Sequence, residues 1–177
     1  MAASFTDLKK GIYDWIYGQT SVPVIWRWQK GQFKKPSFNI MITTSQKIGH
    51  DIETKPSSLG AYNVQGHREF VLSIQGYSDY SYGIYEKTLA LRDSLSKLSV
   101  RDALGVKGVV VFDWQPVQDI SGVDNSENEQ RSSFDVNCRH NIQIADTVSF
   151  IDIVNAQGTF HNPPKDDYIQ TLSVDNS

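Results

Sequence analysis

The sequence predicts an α+β fold: a mostly antiparallel sheet with two or three helices packed on one side and a long protruding β-hairpin. Three observations carry that expectation. Segments of helical period and segments that alternate every second residue follow in the order helix, strands, helix, strands. The alternating runs are rich in Val, Ile, Phe and Trp and are bounded by Gly, Pro, Asn and Ser. Around residues 113–146, two apolar alternating arms flank the polar run "DISGVDNSENEQRSS", the pattern of a hairpin with a tip near 121–131. A chain of 177 residues can bury one core of ordinary size. Residues 1–160 are therefore expected to form a single domain, and 161–177 an extended or mobile tail.

The first element is a helix over "FTDLKKGIYDWIY", residues 5–17, with Phe5, Leu8, Ile12, Trp15 and Ile16 on one face. Ser4 and Asp7 have capping-box spacing, and Gly18 is a candidate stop. Gly11 costs this helix about 1 kcal/mol relative to Ala, so packing has to hold it. "VPVIWRW" alternates as a strand, and Pro23 places it at a strand start or on an edge. "KGQFKKP" is a polar turn. "SFNIMITTSQKIG" is a second strand with Phe38, Ile40 and Ile42 on one side, and "HDIETKPSSLGAYNVQG" is a loop. "HREFVLSIQGY" is a third strand that turns Phe70, Leu72 and Ile74 one way.

The clearest helix spans about Ser81 to Leu98, where Ile84, Thr88, Leu91, Leu95 and Leu98 form one stripe, widened by Tyr85 and Leu89. "SVRDAL" is a short helix with a capping-box pair in Ser99 and Asp102 and a stop at Gly105. "GVVVFDW" is the best candidate for a central strand, extended by "QPVQDIS" past a bulge at Pro116. Phe134, Val136, Cys138, Ile142 and Ile144 then share one parity. "VSFIDIVNAQGTF" is the last strand. The tail "HNPPKDDYIQTLSVDNS" shows no period, and Pro163 and Pro164 interrupt it.

Composition narrows the chemistry. The net charge of −3 gives no bulk attraction for nucleic acid. The single cysteine, Cys138, excludes a disulfide within the chain and a Cys-based zinc cluster. The N-terminal residues carry no long apolar run and no stretch approaches a membrane span, so a chain made in the cytoplasm, with no membrane partner, is expected. His67 and Glu69 have the His-x-Glu spacing of a zinc deaminase, but the required Pro-Cys-x-x-Cys is missing; polar groups on a sheet surface are the plainer reading. His50 and Asp51 read as turn residues. Cys138 and His140 share a strand face, yet Cys138 has the parity of the core. Asp113, Asp119, Asp124, Glu127, Glu129 and Asp135 are numerous enough for a metal-dependent nuclease, but most fall in the polar run, where solvated charge is the ordinary case. The lysines around Phe33 read as a solvated turn. Phosphate-binding loops and nucleophile elbows are absent. No catalytic residue, cofactor or metal is expected. Aromatic-rich stretches such as "YSDYSYGIY" suit contact surfaces.

The order of "VPVIWRWQ", "HREFVLSIQGY", "LALRDSLSKLSVRDAL", "VVFDWQPVQDIS", "RSSFDVNCRHNI" and "SFIDIVNAQGT" resembles the phage neck terminator family, the tail terminators of long-tailed phages. The likeness covers roughly residues 5–160. It implies a structural virion protein without enzymatic activity that assembles into a hexameric ring. The implied ring caps the head-proximal end of the tail tube, ends tube polymerisation and joins the head. DNA passes through its channel without sequence-specific binding. The implied partners are sister copies, the tail tube protein, head-tail connector proteins and the tail sheath. Another connector or a tail-tube subunit is the alternative in the same class; a small metal-dependent nuclease is the alternative from another.

Elementary geometry is compatible with a ring, since head-to-tail contacts close when the rotation per copy divides a full turn. Sheet edges and long hairpins are natural contacts, because unpaired backbone groups seek partners. The tip, with Val123, Asp124, Asn125, Ser126, Glu127, Asn128, Glu129 and Gln130, is therefore the candidate subunit or ring-stacking interface. A neutral or acidic channel lining would let DNA pass without retaining it.

Overall fold

The computed structural model describes residues 4–29, 34–54, 61–79, 81–124, 127–147, 155–160 and 168–173. Helix α1, Phe5–Thr20, opens with the capping box expected: the Asp7 N–H donates to Ser4 Oγ, and the Ser4 N–H donates to the Asp7 carboxylate. It runs past Gly18 and ends at Ser21, whose φ of 54° closes the helix with an N–H donated to the Tyr17 carbonyl. Leu8, Ile12, Trp15 and Ile16 are buried, whereas Phe5, the first residue of the helix, is exposed. Gly11 is explained by its neighbour: a Cβ there would lie 2.6 Å from Lys107 Cβ, so the missing side chain lets another helix approach.

Strand β1, Val24–Trp26, lies parallel to β2, Ser37–Thr54, in the register Val24↔Phe38. Strand β3, Ala61–Asp79, follows. Strands β2 and β3 thus extend through most of the segment whose Gly, Pro and Ser content suggests a loop; residues 55–60 lie outside the described residues. The reason is cross-strand pairing that no local pattern reveals. Thr43 Oγ1 donates to the Val71 carbonyl at 3.4 Å, and Arg68 binds the Asp51 carboxylate at 2.8 and 3.1 Å.

Helix α2, Ile84–Ser94, is shorter than its apolar stripe suggests. Leu95 ends it, and Leu98, 65% exposed, begins helix α3, Leu98–Val106. The Ser99–Asp102 pair does not cap α3; its N-cap is Lys97, with no side-chain cap, and the left-handed residue beyond its end is Gly108 rather than Gly105. Strand β4, Val110–Trp114, is followed by β5, Gln118–Asp119, β6, Gly122–Asp124, and the long β7, Glu127–Thr147. One bulge falls at Phe112, between Val111 and Asp113, and a second extra residue lies between Trp114, opposite Val136, and Gln118, opposite Ser133, where Pro116 was expected to interrupt the pairing.

The strand order is β1-β2-β3-β7-β4, with β5 and β6 also pairing β7. β4 is therefore at the end of the order, not in its centre. Helix and strand residues share one core: Leu8, Ile12 and Ile16 meet Phe38, Ile40, Leu72, Ile74, Phe134 and Val136. The helices cover only that face, so the opposite face carries residues such as Asn39, Gln75, Asp135 and Asn137, all half-buried. Each fully buried Leu or Ile contributes about 1.5–3 kcal/mol. Toward its far end β7 leaves this core: Ile144 keeps the parity but is exposed.

This body, residues 1–53 and 64–144, is one compact unit; residues 54–63 and 145–177 form a second. In the second, β8, Asn155–Phe160, pairs antiparallel with β9, Tyr168–Ser173. β9 lies in the part of the chain without legible period. All of "VSFIDIV", residues 148–154, lies outside the described residues.

Candidate functional site

The polar run is largely ladder. Gln118 and Asp119 pair with Ser133 and Ser132, and Gly122, Val123 and Asp124 pair with Glu129, Asn128 and Glu127. Between β5 and β6, Asp119 accepts from the Ser121 N–H at 2.9 Å, while the Arg131 N–H donates to Ser121 Oγ at 3.0 Å. Asn125 and Ser126 lie outside the described residues. The hairpin tip expected near 121–131 is thus itself largely a two-stranded arm, because polar side chains do not prevent backbone pairing.

The root of the arm is built into the body. Glu129 has a side chain only 4% exposed, held by Lys35 Nζ at 2.8 Å and by Arg131. Burial pushes its carboxyl up, but the two cations outweigh this and hold it below the usual glutamate range. Gln130 Oε1 accepts the Ile84 N–H at 2.8 Å, satisfying an otherwise orphaned donor at the start of α2. Ser132 Oγ pairs with Thr88 Oγ1 at 2.7 Å inside the core. Of the eight candidate interface residues, Glu129 and Gln130 are therefore occupied by their own chain, and Val123, Asp124, Glu127 and Asn128 pair further along the arm. Nothing in the amino-acid types separates these two groups; only the positions of Lys35, Arg131 and the start of α2 do.

Strand β4 is a feature that sequence patterning misplaces. Its run of β-branched residues suits a strand with neighbours on both edges, yet it pairs only with β7 among the described residues. Val110 is 56% exposed and Phe112 46%. Arg139 lies over the Phe112 ring at 4.7 Å and binds Glu69, its Nε donating at 2.7 Å. Strand β1 ends the order on the other side, followed by exposed Arg27 and by Trp28, which is 80% exposed.

The candidate chemical groups are dispersed. Cys138 is buried, and desolvation pushes its thiol up to about 12, so it is a core residue and a poor nucleophile. His140 packs edge-on against Phe70 at 5.6 Å; burial first, then the charge of Arg68, lowers its pKa. Glu69 is taken by Arg139 and Gln46, and His67 is exposed beside it. His50 and Asp51 lie in β2 rather than in a turn, and Arg68 first, then Lys47, hold the Asp51 carboxyl well below the usual range. Asp113 accepts from Asn137 Nδ2 at 3.1 Å. No three His, Cys, Asp or Glu side chains among the described residues are grouped to hold a metal. No helix among them is long and apolar enough to cross a membrane. Lys30 and Phe33 of the basic turn lie outside the described residues.

Residues 6–163 match the family model described as phage neck terminator protein. No curated protein matches the chain.

Proposed function

The chain belongs to the phage neck terminator family, structural components of the phage neck, and on that premise we propose that it caps the tail tube. In this reading copies of the chain form a hexameric ring at the head-proximal end of the tube. The ring stops tube polymerisation and presents the surface to which head-tail connector proteins bind. DNA passes through its channel, and the chain catalyses no reaction. The unit of residues 1–53 and 64–144 builds the ring. The observation that carries the reading is the family match across nearly the whole chain. An arm of paired strands, Gly122–Asp124 against Glu127–Glu129, with a root fixed by Glu129 and Gln130, supports it. Such an arm can touch a neighbouring copy or the next ring without disturbing the core.

Replacing Val123–Asn128 by a short Gly-Ser turn tests the role of the arm while sparing its root. The expected outcome is a soluble, folded protein whose phage makes tails of irregular length or tails that fail to join heads. Normal tail length with normal joining would show the tip to be dispensable. Imaging intact particles tests the larger reading, which requires the chain at the junction of head and tail.

A further inference from the structure

We propose that the groove between α1 and α3 receives Trp28 of a second copy of this chain. The inference rests on the ring reading above and names the contact that joins one copy to the next. The groove encloses about 370 Å³. That falls within the range of about 300–1,000 Å³ in which pockets hold small-molecule-sized groups. Gly11 and Asp14 of α1 and Ser99 and Ala103 of α3 wall it, and the buried Trp15 and Val100 lie beneath. Its lining is mostly apolar, and its walls are built from short side chains, which leaves room for a large one.

Trp28 is the side chain of this protein that most needs such a place. It sits in the turn after β1 and is 80% exposed. A tryptophan carries about 150–250 Å² of surface into a contact, and it is among the residues that dominate interfaces. The buried Trp15 donates its indole N–H to Ser94 Oγ at 3.0 Å, whereas the indole of Trp28 has no acceptor among the described residues. Ser99 and Gln19, both exposed and lining the groove, offer one. Charge agrees. Arg27, next to Trp28, is exposed and meets only the soft Met41 sulfur, 3.5 Å from its Nη1. Asp14 is bridged to Lys10 at 3.1 Å but is half exposed, and so is open to a second cation. Lys107, the cation lining the groove, packs its stem on Gly11, about one helical turn from Asp14.

The occupant is a second copy because knob and groove belong to one chain and cannot meet within it. Lys9 Nζ lies 5.4 Å from the Trp26 ring, so the end of β1 is beside the Lys9 side of α1. Gly11, two residues on and about 200° around the helix, faces α3 instead. Trp28 and the groove therefore lie on opposite sides of α1. A contact between unlike surfaces runs head to tail from copy to copy and closes into a ring when the rotation allows.

Photochemical cross-linking tests this in a phage whose own copy of the gene is disabled and which is complemented with the full chain. With p-benzoylphenylalanine in place of Trp28, a bulky aromatic group is kept at the tip. Irradiated particles are expected to yield dimers and higher multimers of the chain, joined through α1 or α3 residues that line the groove. Cross-links to another protein, to a different surface of the chain, or none would overturn the proposal, as would a product that stops at two copies. Two substitutions supply a functional readout. Trp28→Ala and Ala103→Trp change exposed positions, so circular dichroism should match the parent. Each is expected to lower plating about tenfold or more, one by removing the knob and the other by filling the groove. Trp28→Phe should retain most of it. Normal plating by Trp28→Ala or by Ala103→Trp would overturn the docking while the chain remains at the neck. Absence of the parent chain from the neck of intact particles would instead overturn the reading beneath it.

Discussion

Replacing Glu129 with glutamine removes one negative charge from the root of the arm and leaves the shape of the side chain unchanged. In the parent, that carboxylate is 4% exposed and sits 2.8 Å from Lys35 Nζ, with Arg131 as its second partner. Breaking a fully buried pair costs about 3–5 kcal/mol. Here the two cations are 32% and 36% exposed and can turn toward water, which discounts the loss to about 2 kcal/mol. For a domain of this size that is a fall in Tm of roughly 4–8 °C. The pH dependence gives the sharper check. The folded-state pKa of Glu129 is lowered from the usual 4.5, so its charge contributes stability above that pH. The contribution is lost as pH falls through the folded value, where the parent becomes protonated and resembles the variant. Urea denaturation of both proteins at neutral pH, and at steps down through the acid range, should show a gap that closes on acidification. A gap that is absent at neutral pH, or that persists unchanged in acid, would refute the assignment of Glu129 as a paired, ionised anchor.

Two further outcomes follow from the same packing. Gly76→Ala should destabilise the protein by about 1–3 kcal/mol in chemical denaturation, because the new Cβ would lie 2.7 Å from Ile84 Cγ1 and 3.0 Å from Phe38 Cε1. Full stability in that variant would mean that the start of α2 does not sit tightly on the sheet. Cys138 should stay unmodified by an aromatic disulfide reagent at mildly alkaline pH and react fully once the chain is unfolded, since its thiol is buried and pushed up to about 12. Rapid labelling of the native protein would show that the β4–β7 ladder opens readily.

Local patterning made much of the fold legible. The capping box of Ser4 and Asp7, the buried stripe of α1 and the alternation of Phe70, Leu72 and Ile74 depend on neighbours a few residues away, and all appear as the sequence implies. The same pattern placed Cys138 in the core. Boundaries were less legible, because caps compete: Ser21 rather than Gly18 ends α1, and Lys97 rather than Ser99 precedes α3. The outer half of β2, the start of β3 and strand β9 were not legible, since their strands are specified by pairing with a distant segment more than by composition.

The candidate interface divides in the same way. That the run from Val123 to Gln130 departs from core patterning was evident from its polarity. That Glu129 and Gln130 belong to the chain's own interior was not, because their partners Lys35 and Ile84 lie far away in sequence. Likewise, a β-branched run announced strand β4, but its place at the end of the sheet depends on which strands pair with β7. Sequence alone determined which faces must leave water, because hydrophobic period is a local property. The tertiary structure alone decided which polar groups are satisfied internally and which strand edges remain for another molecule, because backbone hydrogen bonding carries no mark of its partner.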